Sequence, residues 1–227
     1  MSADVYRLYY VRYRLAFRLG SYLGFIRGFC AAPIAPYLLG EGKLSVDTER
    51  RLADARNVIR DFIHKGLEAS ESKAHFNRMR LGHAGVSLPE EHFLYVIANF
   101  YLEPLRVKRI LGGSVTATEC KMLCRFWCDV ARSMGLRNIP SNYIGWLTLR
   151  RNYERRFGGT SKGSVELLNR CMQSMLGLSI PFGLRTFARA IIVALLPLSH
   201  KAWLEQRTIT GRFYLRVLIW RANFRNR

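Results

Sequence analysis

Apolar residues recur along this chain at the spacing of an α-helix, and strict apolar–polar alternation is nearly absent. Over residues 47–67 the apolar positions share one helical face, and Gly66 is a stop signal. A second helix is predicted over residues 72–86. The face of the first helix consists of Leu52, Ala55, Ile59, Phe62 and Ile63. The pattern therefore predicts an all-α protein.

Two helix starts carry the sequence of a capping box. Ser87 is followed three residues later by Glu90, and Thr116 is followed three residues later by Glu119. In such a box the hydroxyl accepts from the amide of the third helical residue, and the glutamate accepts from the amide of the cap. The predicted helices in this region are bounded by Gly112, Gly113, Gly135, Pro140, Gly158 and Gly159.

We expect one domain over residues 1–227, because the chain has no internal repeat, low-complexity segment or convincing linker. Residues 1–30 are predicted to form a basic N-terminal helix of this domain. Residues 183–227 are predicted to form basic C-terminal helices, interrupted at Pro197 and Gly211.

The composition shows a strong net positive charge, which the pattern of apolar and polar positions does not explain. The chain has 36 Lys and Arg against 16 Asp and Glu, a net charge of +20, and 49% hydrophobic residues, which excludes a disordered chain. This charge predicts an anionic partner: nucleic acid, an anionic membrane surface or an acidic ligand. No helix-turn-helix, zinc-finger or RNA-recognition signature is present, so nucleic acid is disfavoured. Basic residues among aromatic ones over residues 207–227 favour a membrane surface, and a solvated helix packed on the domain remains the alternative.

Targeting signals are not found in this sequence. The N-terminus has no uninterrupted apolar stretch, and the longest apolar run, over residues 190–198, contains Pro197 and is too short to span a bilayer. The five cysteines form no disulfide-like array, which favours a reducing compartment. We therefore expect a cytoplasmic protein, with peripheral attachment to a membrane as the alternative.

Three of the cysteines, Cys120, Cys124 and Cys128, are spaced four residues apart and share one helical stripe. Tetrahedral zinc sites combine close ligand pairs from two segments, and no second pair exists in this sequence. The spacing therefore favours burial of these thiols in the core over a metal site.

Among the five histidines, His83 has the most suggestive surroundings. Arg80 lies three residues before it on the same helical face, and Gly82 and Gly85 leave room for a bulky planar group. A haem suits such a site, with the imidazole on iron and the guanidinium on a propionate. A surface histidine, or one with an ordinary hydrogen-bond partner, is the alternative on physical grounds alone.

Several segments of the chain share their order with one family. Residues 80–86 resemble the R-x-x-H-A-x-V helix of latex-clearing proteins and the related MpaB-type oxygenases. Residues 93–106 resemble that family's LYVLATFxxEPxR segment. Further similar segments follow in collinear order and cover nearly the whole chain: residues 25–35, 40–43, 51–55, 126–127, 134–135 and 150–155.

This resemblance implies an all-α fold with a globin-like helical core that holds haem b. It implies His83 as the proximal iron ligand, Arg80 as the arginine on the same helix, and Arg51 as a candidate propionate contact. Asp54 and Arg51 are then the candidate catalytic residues on the distal side. Rubber oxygenases have Lys-Thr where this chain has Asp54-Ala55; the MpaB-like branch has Asp-Thr, so Asp54 fits and Ala55 departs.

The remaining motif residues have less defined roles. Glu103 and Arg106 match a shared motif, and we expect them to form a buried ion pair that supports the pocket. No acidic residue matches the distal glutamate of the rubber enzymes; Glu41 lies nearby in sequence but no motif aligns it.

The resemblance implies a haem b-dependent oxygenase that uses O2 on an apolar isoprenoid or lipid-like substrate, with cleavage of a C=C bond as the expected reaction. The alternative is a catalytically silent haem- or lipid-binding protein at an anionic membrane surface, which Ala55 and the missing distal base favour. Aromatic residues expected along the substrate tunnel, or else simply in the core, are Phe93, Phe100, Tyr101 and Trp127.

Overall fold

A computed structural model of the chain describes residues 2–40, 48–85, 88–158, 161–179 and 184–196. Within these ranges every regular element is helical, so the predicted all-α class is confirmed for that part of the chain. A π-helical segment, Arg7–Arg12, lies between α1 and α2. The α-helices are α1 (Ser2–Tyr6), α2 (Arg14–Phe29), α3 (Ile34–Leu39), α4 (Thr48–His64), α5 (Ser70–Ala84), α6 (Glu90–Ile110), α7 (Ala117–Ser133), α8 (Tyr143–Phe157), α9 (Lys162–Ser179) and α10 (Arg185–Leu195).

The predicted helix positions agree with the structure to within a few residues. The helix predicted over residues 47–67 is α4, and the one predicted over 72–86 is α5. Gly66 separates them with φ of 84°, in the left-handed region where a residue without Cβ is favoured. Gly135 follows α7 with φ of 83° for the same reason.

Of the two predicted capping boxes, the one at Thr116 is confirmed. The Glu119 amide donates to Oγ1 of Thr116 over 3.2 Å, and the Thr116 amide donates to Oε2 of Glu119 over 2.9 Å. The helix start predicted at Ser87 differs from the structure, where Pro89 is the N-cap of α6 and Glu90 is its first residue. Ser87 itself lies outside the described residues.

Helices α2 and α6 form the antiparallel centre of the fold, and three glycines of α2 let them approach closely. Gly20 lies against the backbone of Pro104, Gly24 against that of Asn99, and Gly28 against Val96. A Cβ on Gly24 would lie 2.7 Å from the Asn99 carbonyl oxygen, so only glycine fits there. The backbones are thus in direct contact, and the side chains of both helices radiate into the rest of the core.

The two chain ends differ from the prediction or lie partly outside the structure. The N-terminal helix predicted over residues 1–30 is interrupted at Tyr13, where φ is −122°. From the predicted C-terminal helices the structure describes α10; residues 180–183 and 197–227, with Pro197 and Gly211, lie outside the described residues. None of the described helices is both long enough and apolar enough to cross a membrane.

Candidate functional site

A cavity of about 750 Å³ lies between α4, α5, α6 and α7, with further wall residues from α2 and α3. Its wall is mostly apolar, and His83 contributes an imidazole from the last turn of α5. The His83 ring packs against that of Phe93 on α6, with 4.4 Å between centroids. Apolar wall residues include Phe29, Leu38, Val58, Ile59, Phe62, Met79, Phe93, Val96, Ile97, Phe100, Trp127 and Val130.

The imidazole of His83 is half-buried, and neither ring nitrogen is hydrogen-bonded to another residue in the described part of the chain. Burial lowers the pKa of His83 from its usual value, so the ring is neutral at pH 7. Neutral imidazole is the form that ligates a metal. The adjacent Gly82 also lies in the cavity wall, and a Cβ at this position would meet no atom within 4 Å.

His75 also lines the cavity, but both of its nitrogens are occupied. Nη2 of Arg78 lies 2.6 Å from Nδ1, and Oδ2 of Asp61 lies 3.0 Å from Nε2. Arginine can only donate, so Nδ1 accepts and the proton of the neutral ring is on Nε2, which donates to Asp61. This bond is the main cause that lowers the pKa of Asp61. His75 therefore has no free lone pair for a ligand.

His92, the third histidine of the wall, is buried at the start of α6. Its Nδ1 lies 2.6 Å from the Tyr153 hydroxyl, and its ring packs against Tyr153 and Phe157. Burial is the main cause that lowers the pKa of His92. Of the three imidazoles, His83 alone has both nitrogens unoccupied among the described residues.

The structure brings only part of the predicted site together. Asp54 and Ala55 line the same cavity as His83. Arg80 does not: its side chain is exposed and donates to Asn77. Three residues along an α-helix leave an offset of about 60°, which is enough to point Arg80 to solvent while His83 faces the cavity. Arg51 belongs to α4, but its side chain lies outside the described part of the chain, as does Glu41.

Three of the four aromatic residues expected along a tunnel line the cavity. Phe93, Phe100 and Trp127 contribute to its wall, and the rings of Phe100 and Trp127 stack with centroids 5.7 Å apart. Tyr101 is a core residue instead, because it is buried and its hydroxyl donates to the Cys120 carbonyl over 3.2 Å.

The ion pair predicted between Glu103 and Arg106 is present and belongs to a larger buried network. Glu103, with 0% of its side chain exposed, accepts from Arg27 Nη1 over 2.7 Å, Arg150 Nη1 over 2.9 Å and Arg106 Nε over 2.8 Å. Glu154 accepts from the other two nitrogens of Arg27 over 2.6 Å and 2.8 Å. Three guanidinium groups and two carboxylates therefore join α2, α6 and α8, with a net charge of +1.

This network predicts a loss of stability in acid. Burial by itself would raise the pKa of Glu103, but the three arginines outweigh it and lower the pKa below its ordinary value. Because the unfolded value is about 4.3, the stabilisation is complete above that pH and is lost as the pH falls through the lower folded pKa. The midpoint of urea unfolding, measured from pH 6 to pH 3, should fall steeply. A Glu103→Gln variant should show a smaller fall, and an equal fall would assign the acid sensitivity to other carboxylates.

Of the three cysteines predicted to pack in the core, Cys124 and Cys128 are buried in it, and Cys120 is half-buried against it. Cys124 and Cys128 are buried with their Sγ atoms 4.0 Å apart, and they donate to the carbonyls of Ser141 over 3.6 Å and Pro140 over 3.2 Å. Across the described ranges, no group of three His, Cys, Asp or Glu side chains is placed to hold a metal ion.

Sequence reasoning did not single out several residues that shape the site. The spacing of Gly20, Gly24 and Gly28 at every fourth position was a readable signal for close helix packing. The pairing of Asp61 with His75 had no such signal, because the two residues lie on different helices.

Comparison of the chain with protein-family models finds no match, and comparison with curated proteins finds none either. The functional assignment therefore depends on the residues of this chain. The free imidazole of His83 in an apolar cavity is the observation with the most specific chemistry.

Proposed function

We propose that this chain is a haem b-dependent oxygenase that acts on an apolar, isoprenoid or lipid-like substrate. The observation that carries the proposal is His83, a neutral imidazole without a hydrogen-bond partner among the described residues, in the wall of a 750 Å³ apolar cavity. The resemblance of residues 80–86 and 93–106 to latex-clearing and MpaB-type oxygenases supports the same assignment and adds a globin-like core to the proposal.

The cavity fits a haem better than it fits a bare metal ion. A haem supplies four nitrogen ligands itself and needs one axial residue, which a single histidine provides. A bare ion needs three or more protein ligands, and no such group is found among the described residues. The cavity volume lies within the range of about 300–1,000 Å³ that is typical of ligand sites.

The propionates of a haem require positive charge near the cavity. Arg78 lines the wall and donates to His75, whereas Arg80 points to solvent and donates to Asn77. Arg78 is therefore the better placed of the two for a propionate. The proposal keeps Arg51 as a second candidate from the resemblance.

A bound haem would supply the binding and activation of O2. The side chains of the protein would hold and orient the haem and the substrate. His83 would ligate the iron from α5, and Phe93, Phe100 and Trp127 would hold an apolar chain and exclude water. Asp54 lines the wall as the candidate distal carboxylate, with Ala55 beside it offering no hydroxyl. Asp61 and Arg78 hold the two nitrogens of His75, so the orientation of this ring is fixed.

Haem binding should depend on His83 and not on His92. Titration of the purified chain with hemin should give a shifted Soret band, and His83→Ala should weaken binding more than about tenfold, since even outer-shell partners of a ligand contribute that much. His92→Gln is the matched control, because it changes a histidine of the same cavity wall whose ring packs against Tyr153 and Phe157. Equal binding by wild type and both variants would refute His83 as the ligand.

The reaction is tested with the reconstituted protein and squalene as an apolar polyene. Cleavage of one C=C bond by one O2 yields two carbonyl groups, so two carbonyl groups should appear for each O2 consumed. Uptake without carbonyl products would reject the cleavage reaction.

A second candidate is a haem- or lipid-binding protein without catalytic activity at an anionic membrane. Ala55 favours it, because a methyl group in the cavity wall cannot hydrogen-bond to bound O2. The described N-terminus also exposes Val11 and Leu15, 65% and 56% accessible, beside the cations of Arg12 and Arg14. Haem binding without oxygen uptake, together with sedimentation on anionic vesicles, would select this candidate.

A further inference from the structure

A second cavity, of about 450 Å³, lies between α4 on one side and the π-helical segment with α2 on the other. Its wall contains four arginines and no aspartate or glutamate. We call it the basic cleft. It is lined by Tyr9, Tyr10, Arg14, Arg18, Ser21, Tyr22, Phe25, Arg56, Asn57, Ile59, Arg60, Ile63 and Phe100.

The positive charge of the basic cleft is not neutralised within the described structure. Arg14, Arg18 and Arg56 have no ion pair or hydrogen bond with another described residue. The nearest carboxylate to Arg60 is Asp61 at 3.8 Å, and Asp61 is bound more closely by His75 at 3.0 Å.

Some arginines elsewhere on the surface are paired with carboxylates, and others, such as Arg125 and Arg151, have no carboxylate partner among the described residues. Arg132 lies 2.6 Å from Asp129, and Arg156 lies 2.8 Å from Glu91. What distinguishes the basic cleft is that three arginines without a carboxylate partner, together with Arg60, line one concavity.

The arrangement of these arginines suits a phosphate group. Arg14 and Arg18 are four residues apart on α2, and Arg56 and Arg60 are four apart on α4, so each helix contributes two neighbouring guanidinium groups. Guanidinium groups bind phosphate oxygens through paired, charge-assisted hydrogen bonds. Ser21 and Asn57 add neutral donors to the same wall.

The basic cleft adjoins the apolar cavity that contains His83. The two share Asn57, Ile59, Arg60 and Phe100 as wall residues. Phe93, in contact with His83, precedes Phe100 by seven residues on α6, which is about 10 Å along the helix axis. The basic cleft therefore lies toward the Phe100 end of the apolar cavity, and His83 lies toward the Phe93 end.

We infer that the basic cleft binds the phosphate group of an amphiphilic ligand whose apolar chain occupies the neighbouring cavity. This inference depends on the proposed function in one respect: it assumes that the apolar chain of the substrate lies in the cavity that contains His83. The substrate class is thereby narrowed to a phosphate ester of a long apolar alcohol. A chain anchored at the basic cleft would pass Phe100 and present a bond about 10 Å further on, at the His83 end.

Isothermal titration of the 227-residue chain with three probes tests this inference. Dodecyl phosphate carries both parts of the ligand, inorganic phosphate carries only the head, and dodecanol carries only the chain. Dodecyl phosphate should bind at least about tenfold more tightly than either of the others, because it gains charge-assisted hydrogen bonds and apolar burial together. If dodecanol binds as tightly as dodecyl phosphate, the cleft does not bind the phosphate group. If inorganic phosphate binds as tightly as dodecyl phosphate, the apolar cavity does not bind the chain.

A charge-matched pair of variants locates the site. Arg18→Gln with Arg56→Gln should weaken binding of dodecyl phosphate at least about tenfold, since each change removes a charge-assisted contact. The control, Arg125→Gln with Arg151→Gln, removes the same two charges from exposed arginines outside the basic cleft and should leave the affinity within about twofold. Equal losses in the two variants would mean general attraction by a basic surface and would refute the site.

Two features keep the test decisive. If the cleft variant does not fold, the salt dependence of binding to the wild-type chain is measured instead. Added salt should weaken the binding of dodecyl phosphate and leave the binding of dodecanol unchanged. The titrations use the chain without added haem. A failure to bind dodecyl phosphate is therefore distinct from a failure to bind hemin, which tests the proposed function.

Discussion

Replacing Glu103 with glutamine should lower the free energy of unfolding by about 3–5 kcal/mol, the usual effect of removing one partner from a buried ion pair. The carboxylate is fully buried and accepts from Arg27, Arg106 and Arg150. Its removal would leave three guanidinium groups facing Glu154 alone, and the net charge of the network would rise from +1 to +2. Urea unfolding at pH 7, followed by circular dichroism, measures the change.

An exposed ion pair provides the control for this prediction. Glu166 and Arg170 are four residues apart on α9, and both side chains are at least one-third exposed. Glu166→Gln should change the free energy of unfolding by less than about 0.5 kcal/mol, as is usual for a surface pair. Similar small effects at both positions would show that the Glu103 network does not stabilise the fold.

Replacing Gly24 with valine should lower the free energy of unfolding by about 3 kcal/mol, at the upper end of the range for overpacked cores. Even the Cβ would lie 2.7 Å from the Asn99 carbonyl oxygen. This atom belongs to the backbone of α6, so no side-chain rotation can relieve the clash, and α2 would have to move away from α6. Thermal unfolding of the purified variant measures the loss.

Gly82→Ala is the matched control for Gly24→Val. A Cβ on Gly82 would meet no atom within 4 Å, and the residue lies inside α5. Alanine should therefore raise the stability of the haem-free chain by about 0.5–1 kcal/mol, the usual gain over glycine in a helix. A loss at Gly82 equal to that at Gly24 would mean that the close contact of α2 with α6 does not explain the loss at Gly24.

The sequence predicted the helices well because their signals are local. Apolar periodicity located α4 and α5, and the pair Thr116 and Glu119 located the start of α7. The helix start predicted at Ser87 differs because Pro89 is the N-cap of α6, which begins at Glu90. Where local signals compete, the sequence predicts the presence of a helix better than the residue at which it begins.

The candidate site was predicted only in part, because side chains meet through packing that periodicity does not describe. Glu103 lies 76 residues from Arg27 and 47 from Arg150 in the chain, yet all three side chains meet in one network. Arg80 was predicted to share a site with His83, but an offset within one helix turns it to solvent. The basic cleft had no sequence signal either, since its four arginines come from two helices separated by α3.

The most direct test of the account is chemical rescue of a His83→Gly variant. We propose that the imidazole of His83 would hold the iron of a haem in the apolar cavity. His83→Gly with hemin should lack the Soret spectrum of the wild type, and added free imidazole should restore it, because the imidazole fills the space that the side chain left. A His83→Gly variant whose hemin spectrum already matches the wild type without imidazole would contradict the account.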